Sequence, residues 1–196
     1  MVDQQKILER LRIYFIGDSI VELKKYDFDH QGRLNVYTDV RPRDYRFPNN
    51  RLPFSFGKVE GTFNVQDSHL TTLEGCPISV TKDCLVNGNK LKNLIGAPHS
   101  VGGVFDITNI ATLASLEGFP LEVSSVRFNW APSLPLLRLL NAAKITVAYP
   151  GTDVYVRRNG HKAADILNRY AGQGEAGAFA CGAELASAGL KENARW

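Results

Sequence analysis

Apolar residues recur through the middle of the chain at intervals of 21 residues: Val59, Val80 and Val101 each open a segment, with Phe63, Cys84, Phe105 and then Val65, Val86, Ile107 in matching places. The alternation around these positions predicts short strands of period 2, whose inward side chains stack on those of the next coil about 4.8 Å away. A second pattern links the strands. Leu70-x-x-Leu73-x-Gly75-x-Pro77-x-x-Val80 returns as Leu91-x-x-Leu94-x-Gly96-x-Pro98-x-x-Val101, and again, one residue late, as Leu113-x-x-Leu116-x-Gly118-x-Pro120-x-x-Val123. The Gly-x-Pro step marks a corner, because glycine tolerates a crowded or left-handed backbone and proline fixes φ. Ser68 and Asn89 fall at the turn between strand and leucines, where an inward amide satisfies backbone groups that would otherwise lie buried and unpaired.

The flanks follow other periods. Residues 3 to 13 carry an apolar stripe at Ile7, Leu8, Leu11 and Ile13, which predicts a short helix. Lys25–Phe28 and Leu34–Tyr37 predict a hairpin turning at Gly32. Beyond the repeat, the pattern predicts a short helix over Leu134–Ala142, a strand over Lys144–Ala148, a turn at Pro150-Gly151, and closing helices over His161–Ala171 and Glu175–Ala188. Small residues fill the last of these (Ala176, Gly177, Ala178, Ala180, Gly182, Ala183, Ala186), which predicts close backbone packing against another element. The fold class is therefore α+β: a short solenoid of parallel strands over 52–132, an N-terminal helix and hairpin cap over 1–51, and a C-terminal strand and helix cap over 133–196.

The spacing apolar-x-apolar-x-x-Asn-x-Leu-x-x-Leu is that of a leucine-rich repeat. The segments LTTLEGCPISV and LKNLIGAPHSVGGVFDITN resemble the leucine-rich-repeat-like proteins encoded by many tailed phages, with their recurring L-x-x-L-x-G-x-P-x-x-V-G-G-x-F motif. The similarity extends over the leader Leu52–Gly61 and the C-terminal AGQGEAGAFACGAELASAGLKENARW. The resemblance implies a phage origin, an accessory role and a place in the cytoplasm of the infected bacterium. The chain departs from the motif at Lys82, where a glycine is usual, at the turn residue Ile110, and after Pro120, where Val126, Phe128 and Trp130 are apolar in a shifted register.

Charge changes this picture little overall and more in detail. The 196 residues carry a net charge of +3, but residues 52–132 hold 5 basic and 7 acidic side chains while both flanks are net basic. One cluster, Arg41, Arg43, Arg46 and Arg51, precedes the repeat with Tyr37, Tyr45 and Phe47 interleaved, and another, Arg157, Arg158, His161, Lys162 and Arg169, follows it. Such clusters can neutralise phosphates, although a solvated surface explains an excess this small. No apolar run is long enough to span a bilayer, and the charged N-terminus does not predict a secretory segment.

Period 2 places Thr62, Asn64 and Gln66, then Asp83, Leu85 and Asn87, then Val104, Asp106 and Thr108 on the face opposite the inward ladder. That mixed face is the candidate partner-binding surface, with Leu85 and Val104 apolar where solvent favours polar residues. Catalytic patterns are weaker. Cys76, His69 and Asp67 suggest a nucleophile with its base, but Cys76 occupies a corner that repeats as alanine and phenylalanine, and His99 has no cysteine in its own coil. Gly172-x-Gly174-x-x-Gly177 fits a phosphate-loop spacing but follows no βαβ unit and reads as a turn between helices. The three cysteines and four histidines match no metal-ligand spacing, and no cofactor is predicted. The function these residues predict is that of a non-enzymatic protein that binds a host protein through the strand face and the C-terminal helices. A nucleic-acid-associated factor using the arginine clusters and a minor virion component are the alternatives.

Overall fold

Asp3 caps the first helix of the computed structural model, which describes residues 3–16, 18–148 and 161–196. Its carboxylate accepts a hydrogen bond from Lys6 N (3.3 Å) and opens α1 (Gln4–Tyr14), which buries Ile7 and Leu11 and leaves Ile13 exposed. A single further turn, α2 (Asp18–Glu22), leads to the antiparallel hairpin of β1 (Tyr26–Phe28) and β2 (Leu34–Val36), with Gly32 in the left-handed region at φ 74°. The predicted turn at Pro150-Gly151 lies outside the described residues, as do Arg157 and Arg158.

From β2 onward the chain coils through parallel strands for about five turns. These are β3 (Phe56–Val59), β4 (Phe63–Asn64), β5 (Ser79–Val80), β6 (Cys84–Leu85), β7 (Ser100–Ile107), β8 (Glu122–Asn129) and β9 (Ile145–Ala148). Two columns of paired residues run through them. One stacks Val36, Val59, Val80, Val101, Val123 and Ala142; the other stacks Val40, Phe63, Cys84, Phe105, Val126 and Ile145. The solenoid thus extends beyond residues 52–132 at both ends, and the hairpin and the late strand add coils to it. Their spacings to the neighbouring rungs differ from the central repeat, so the period does not announce them.

The departures from the motif have local explanations. The residue inserted before Leu113 shifts the register to Val101↔Val123, and a bulge before Val104↔Ser125 removes the shift, so Phe105↔Val126 and Ile107↔Phe128 regain the central spacing. At Lys82 the reason is a side chain from the neighbouring coil. Asp83 Oδ1 accepts from Val104 N and Asp39 Oδ1 accepts from Thr62 N, both at 2.8 Å. Each carboxylate helps fill the space above the glycine just before its donor: a Cβ on Gly103 would lie 2.3 Å from Asp83 Oδ1, and one on Gly61 2.7 Å from Asp39 Oδ1. Lys82 follows a coil whose equivalent residue is Thr62, with no carboxylate to reach over, and a side chain fits. The corners at Gly75, Gly96 and Gly118 instead need both a positive φ and the missing Cβ, which at Gly118 would meet Leu94 O at 2.4 Å.

Asn89 works as its position predicts. It is 3% exposed, accepts from Leu70 N (2.8 Å), and donates to Val65 O (2.9 Å) and Val86 O (2.8 Å). The inward leucines Leu70, Leu73, Leu91, Leu94 and Leu116 are fully buried around it.

Each end of the solenoid carries a partial cap against stray pairing. At the start, residues 14–16 pair antiparallel with 41–43 through the Phe15↔Pro42 bridge. At the far end, Asn168 of α3 (Lys162–Arg169) takes the place of a further strand: its carboxamide accepts from Ile145 N (2.9 Å) and donates to Ile145 O (2.8 Å). Gly172, at φ 77°, donates to Ala142 O and turns the chain into α4 (Gly174–Ser187), so the glycine run is a helix–helix turn. The predicted Leu134–Ala142 helix forms only a 3₁₀ segment, Leu137–Asn141. The C-terminal tail then docks against it, with Asn193 donating to Ala131 O and Leu134 O.

Candidate functional site

Parallel register sets the candidate face in rows. Asn64, Leu85, Asp106, Arg127 and Thr146 form one row by direct pairing, and Thr108 and Asn129 continue the row beside it. Side chains in a row lie one strand spacing apart, so an extended or flat partner meets a regular series of groups. Thr62, Asn64, Gln66, Asp83, Leu85, Asn87 and Val104 are half-buried, partly open to solvent. Asp106 and Thr108 differ from the expectation of an open face, being only 2% and 5% exposed. Thr108 donates to Asp106 Oδ1 through both its backbone N (3.0 Å) and its hydroxyl (2.7 Å), and Arg127 lies 3.7 Å from Asp106 Oδ2. A carboxylate with these partners is held inside the sheet surface, which narrows the accessible face to the earlier coils.

The basic clusters are placed apart. Arg41, Arg43 and Arg46 are exposed near the first rung of the solenoid, where Arg41 lies 3.9 Å from Asp39, and Arg51 is engaged with Glu74 at 3.2 Å. Lys162 and Arg169 belong to α3 at the last rung, five rung spacings or about 24 Å along the ladder. Lys162 Nζ donates to Ala188 O (2.6 Å), and Arg169 pairs with Glu184. That pairing holds the Glu184 carboxyl below its usual range, aided by a hydrogen bond from Tyr170. The described arginines and lysine do not form one continuous phosphate-binding surface.

Cys76 sits at the Gly75 corner and His69 in the preceding turn, at φ 57°. The fold instead brings Cys76 and His99 to one shallow cavity of about 330 Å³ between successive corners. Burial pushes the Cys76 thiol well above its ordinary range, and that of Cys84 as well, which keeps both protonated and weakly nucleophilic. Among the described residues, no group of three or more His, Cys, Asp or Glu is placed to hold a metal ion, and no helix is long and apolar enough to cross a membrane.

One residue escaped the sequence reading. Phe179 on α4 is 90% exposed, and the neighbouring Ala176, Ala180 and Ala183 also face outward, while Gly177, Cys181 and Leu185 face the core. Between Glu175 and Glu184, α4 is apolar on both faces, a pattern usual for a helix buried all round. The signal was in the sequence: a lone large apolar residue offset by two from Gly177 and Cys181 in a small-residue helix. Comparison of the chain with protein-family models, with curated proteins and with solved structures returns no significant match.

Proposed function

We propose that the chain is a non-enzymatic phage accessory protein that binds a host protein and modulates it in the cytoplasm of the infected bacterium, through α4 and the strand face. The phage assignment rests on the resemblance of the L-x-x-L-x-G-x-P segments. The observation that carries the binding role is Phe179, 90% exposed beside Ala176, Ala180 and Ala183, with Glu175 one turn before it. Exposed aromatic side chains are over-represented as interface anchors, and burying one contributes about 2–3 kcal/mol of association free energy. The rows containing Asn64, Leu85 and Asn87 supply in-register polar and apolar contacts on a rigid sheet, which limits the entropy lost on binding.

Affinity capture from host lysate with quantitative mass spectrometry tests this reading. The wild-type chain recovers a specific host protein; Phe179→Ser and Leu85→Glu each reduce that recovery at least tenfold, whereas Arg46→Ala does not. Equal recovery by all four proteins refutes both surfaces. Loss with Arg46→Ala alone, together with steep salt dependence, points to nucleic acid instead.

A further inference from the structure

β2 lies between two neighbours, the antiparallel β1 on one side and the parallel β3 on the other. Leu34 and Val36 use their backbone groups on the β3 side, where Leu34 N donates to Ser55 O (3.1 Å) and Val36 O accepts from Glu60 N (2.8 Å). Their partners across the hairpin, Phe28 and Tyr26, therefore turn their own N–H and C=O groups away from β2. The sheet ends there, and among the described residues nothing in the chain bonds to those four groups. Such an edge is a template for one more strand.

Both faces of the edge carry side chains that a further strand would meet. On the core face Tyr26 and Phe28 extend the rows of Val36 and Leu34, pack edge to face with centroids 6.1 Å apart, and stay half-buried. On the opposite face Asp27 is exposed, and its oxygens accept only from neutral donors, Asn35 Nδ2 (2.6 Å) and Tyr37 OH (2.5 Å), so its charge is not cancelled. Lys25 is exposed on that face too, and belongs to the hairpin through the bond from Tyr37 N to its carbonyl (2.9 Å). Asp29 is already paired with Arg33 at 2.6 Å. Elsewhere in the same cap, Ile13, Ile16 and Leu23 are 58%, 56% and 63% exposed.

Charge identifies the strand that fits. Lys25-Tyr26-Asp27 is its own complement when read antiparallel about Tyr26: each Lys25 then lies directly opposite the Asp27 of a second copy, at the closely spaced positions beside a doubly hydrogen-bonded Tyr26 pair. Centring the pairing on Asp27 sets two like carboxylates face to face, and centring it on Phe28 sets Asp27 against Asp29, so one register of the three is favoured. We infer that the N-terminal end of the solenoid is the contact between two copies of this chain, joined antiparallel along β1 about a two-fold axis at Tyr26. So short a strand does not hold two copies alone, and Ile13, Ile16 and Leu23 are the uncovered apolar surface that adds to it. This end is opposite to α4, and the contact does not depend on the proposed host partner.

Sedimentation velocity of the full chain from about 1 to 500 µM tests the contact. The expected result is a dimer with a Kd on the order of 10–100 µM. Tyr26→Pro removes a donor that the hairpin itself does not use, and weakens the dimer at least about tenfold. Lys25→Asp makes the edge wholly acidic without touching a hairpin bond, and Asp27→Lys makes it wholly basic. Each of these variants alone is monomeric, whereas an equimolar mixture of the two dimerises, because every cross-strand pair is opposite in charge again. Circular dichroism verifies that each variant is folded, and Phe179→Ser dimerises as the wild type does. A wild type that stays monomeric throughout, a dimer that survives both Tyr26→Pro and Lys25→Asp, or a dimer lost in Phe179→Ser overturns the contact. Failure of the acidic and basic variants to pair on mixing overturns the register about Tyr26.

Discussion

Replacing Asn89 by leucine removes a buried carboxamide of similar volume and leaves Leu70 N–H, Val65 C=O and Val86 C=O without their side-chain partner. Each abandoned group costs about 1–3 kcal/mol, the two carbonyls at the lower end, so the loss amounts to about 3–5 kcal/mol. That is a large share of the roughly 5–15 kcal/mol that stabilises an ordinary domain. For a chain of this size each kcal/mol moves the melting temperature by about 2–4 °C, so Asn89→Leu melts about 10–15 °C below wild type. Thermal and urea unfolding followed by circular dichroism measure both quantities. Asn87→Ala is the control: Asn87 lies two residues earlier, half-buried on the outer face, and its replacement shifts stability by no more than about 0.5 kcal/mol. An Asn89→Leu variant that stays within about 1 kcal/mol of wild type would show that these side-chain hydrogen bonds do not hold adjacent coils together.

Gly103→Ala forces a Cβ to within 2.3 Å of Asp83 Oδ1 and 2.8 Å of the Lys82 carbonyl carbon; it destabilises by about 2 kcal/mol or more in urea unfolding, whereas Lys82→Ala stays within about 0.5 kcal/mol. Asn168→Ala frees both backbone groups of Ile145 at the last strand, and hydrogen exchange of the Ile145 amide speeds up by at least about tenfold while that of Leu70 changes little. The native thiols of Cys76 and Cys84 react with a disulfide reagent at pH 8 at least about 100-fold more slowly than in denaturant, as their raised pKa and burial require. Cys181 titrates from 9.0 when unconstrained to about 11 in the fold, so its neutral form contributes stability below pH 9 that is lost as the pH rises towards 11; Cys181→Ala flattens that part of the melting-temperature profile.

Much of the fold is legible in the chain. The 21-residue spacing sets the central rungs Val59–Val80–Val101 and Phe63–Cys84–Phe105, because side chains that recur at the length of one coil must stack. The Asn89 amide, the Gly75, Gly96 and Gly118 corners and the Gly32 turn are equally local, since each depends on a residue's own backbone preference or hydrogen-bonding groups. The candidate face was legible only as an alternation. That Asp106 and Thr108 are withdrawn from it depends on Arg127 in the next strand, and that Phe179 is left outward depends on which side of α4 the core takes.

What the sequence determined alone is periodic or local: the coil length, the inward columns, the corners and the hairpin. The tertiary structure decided how the coil starts and ends. Val36 and Val40 join the columns by spacings longer than the repeat, and Ala142 and Ile145 by shorter ones, so periodicity cannot place them. Asn168 and Asn193 finish the ladder from far along the chain, and the open edge at Tyr26 exists only because β2 takes the other side of β1. The physical reason is common to all three: a hydrogen bond, made or left open, belongs to two segments at once, and neither segment carries it alone.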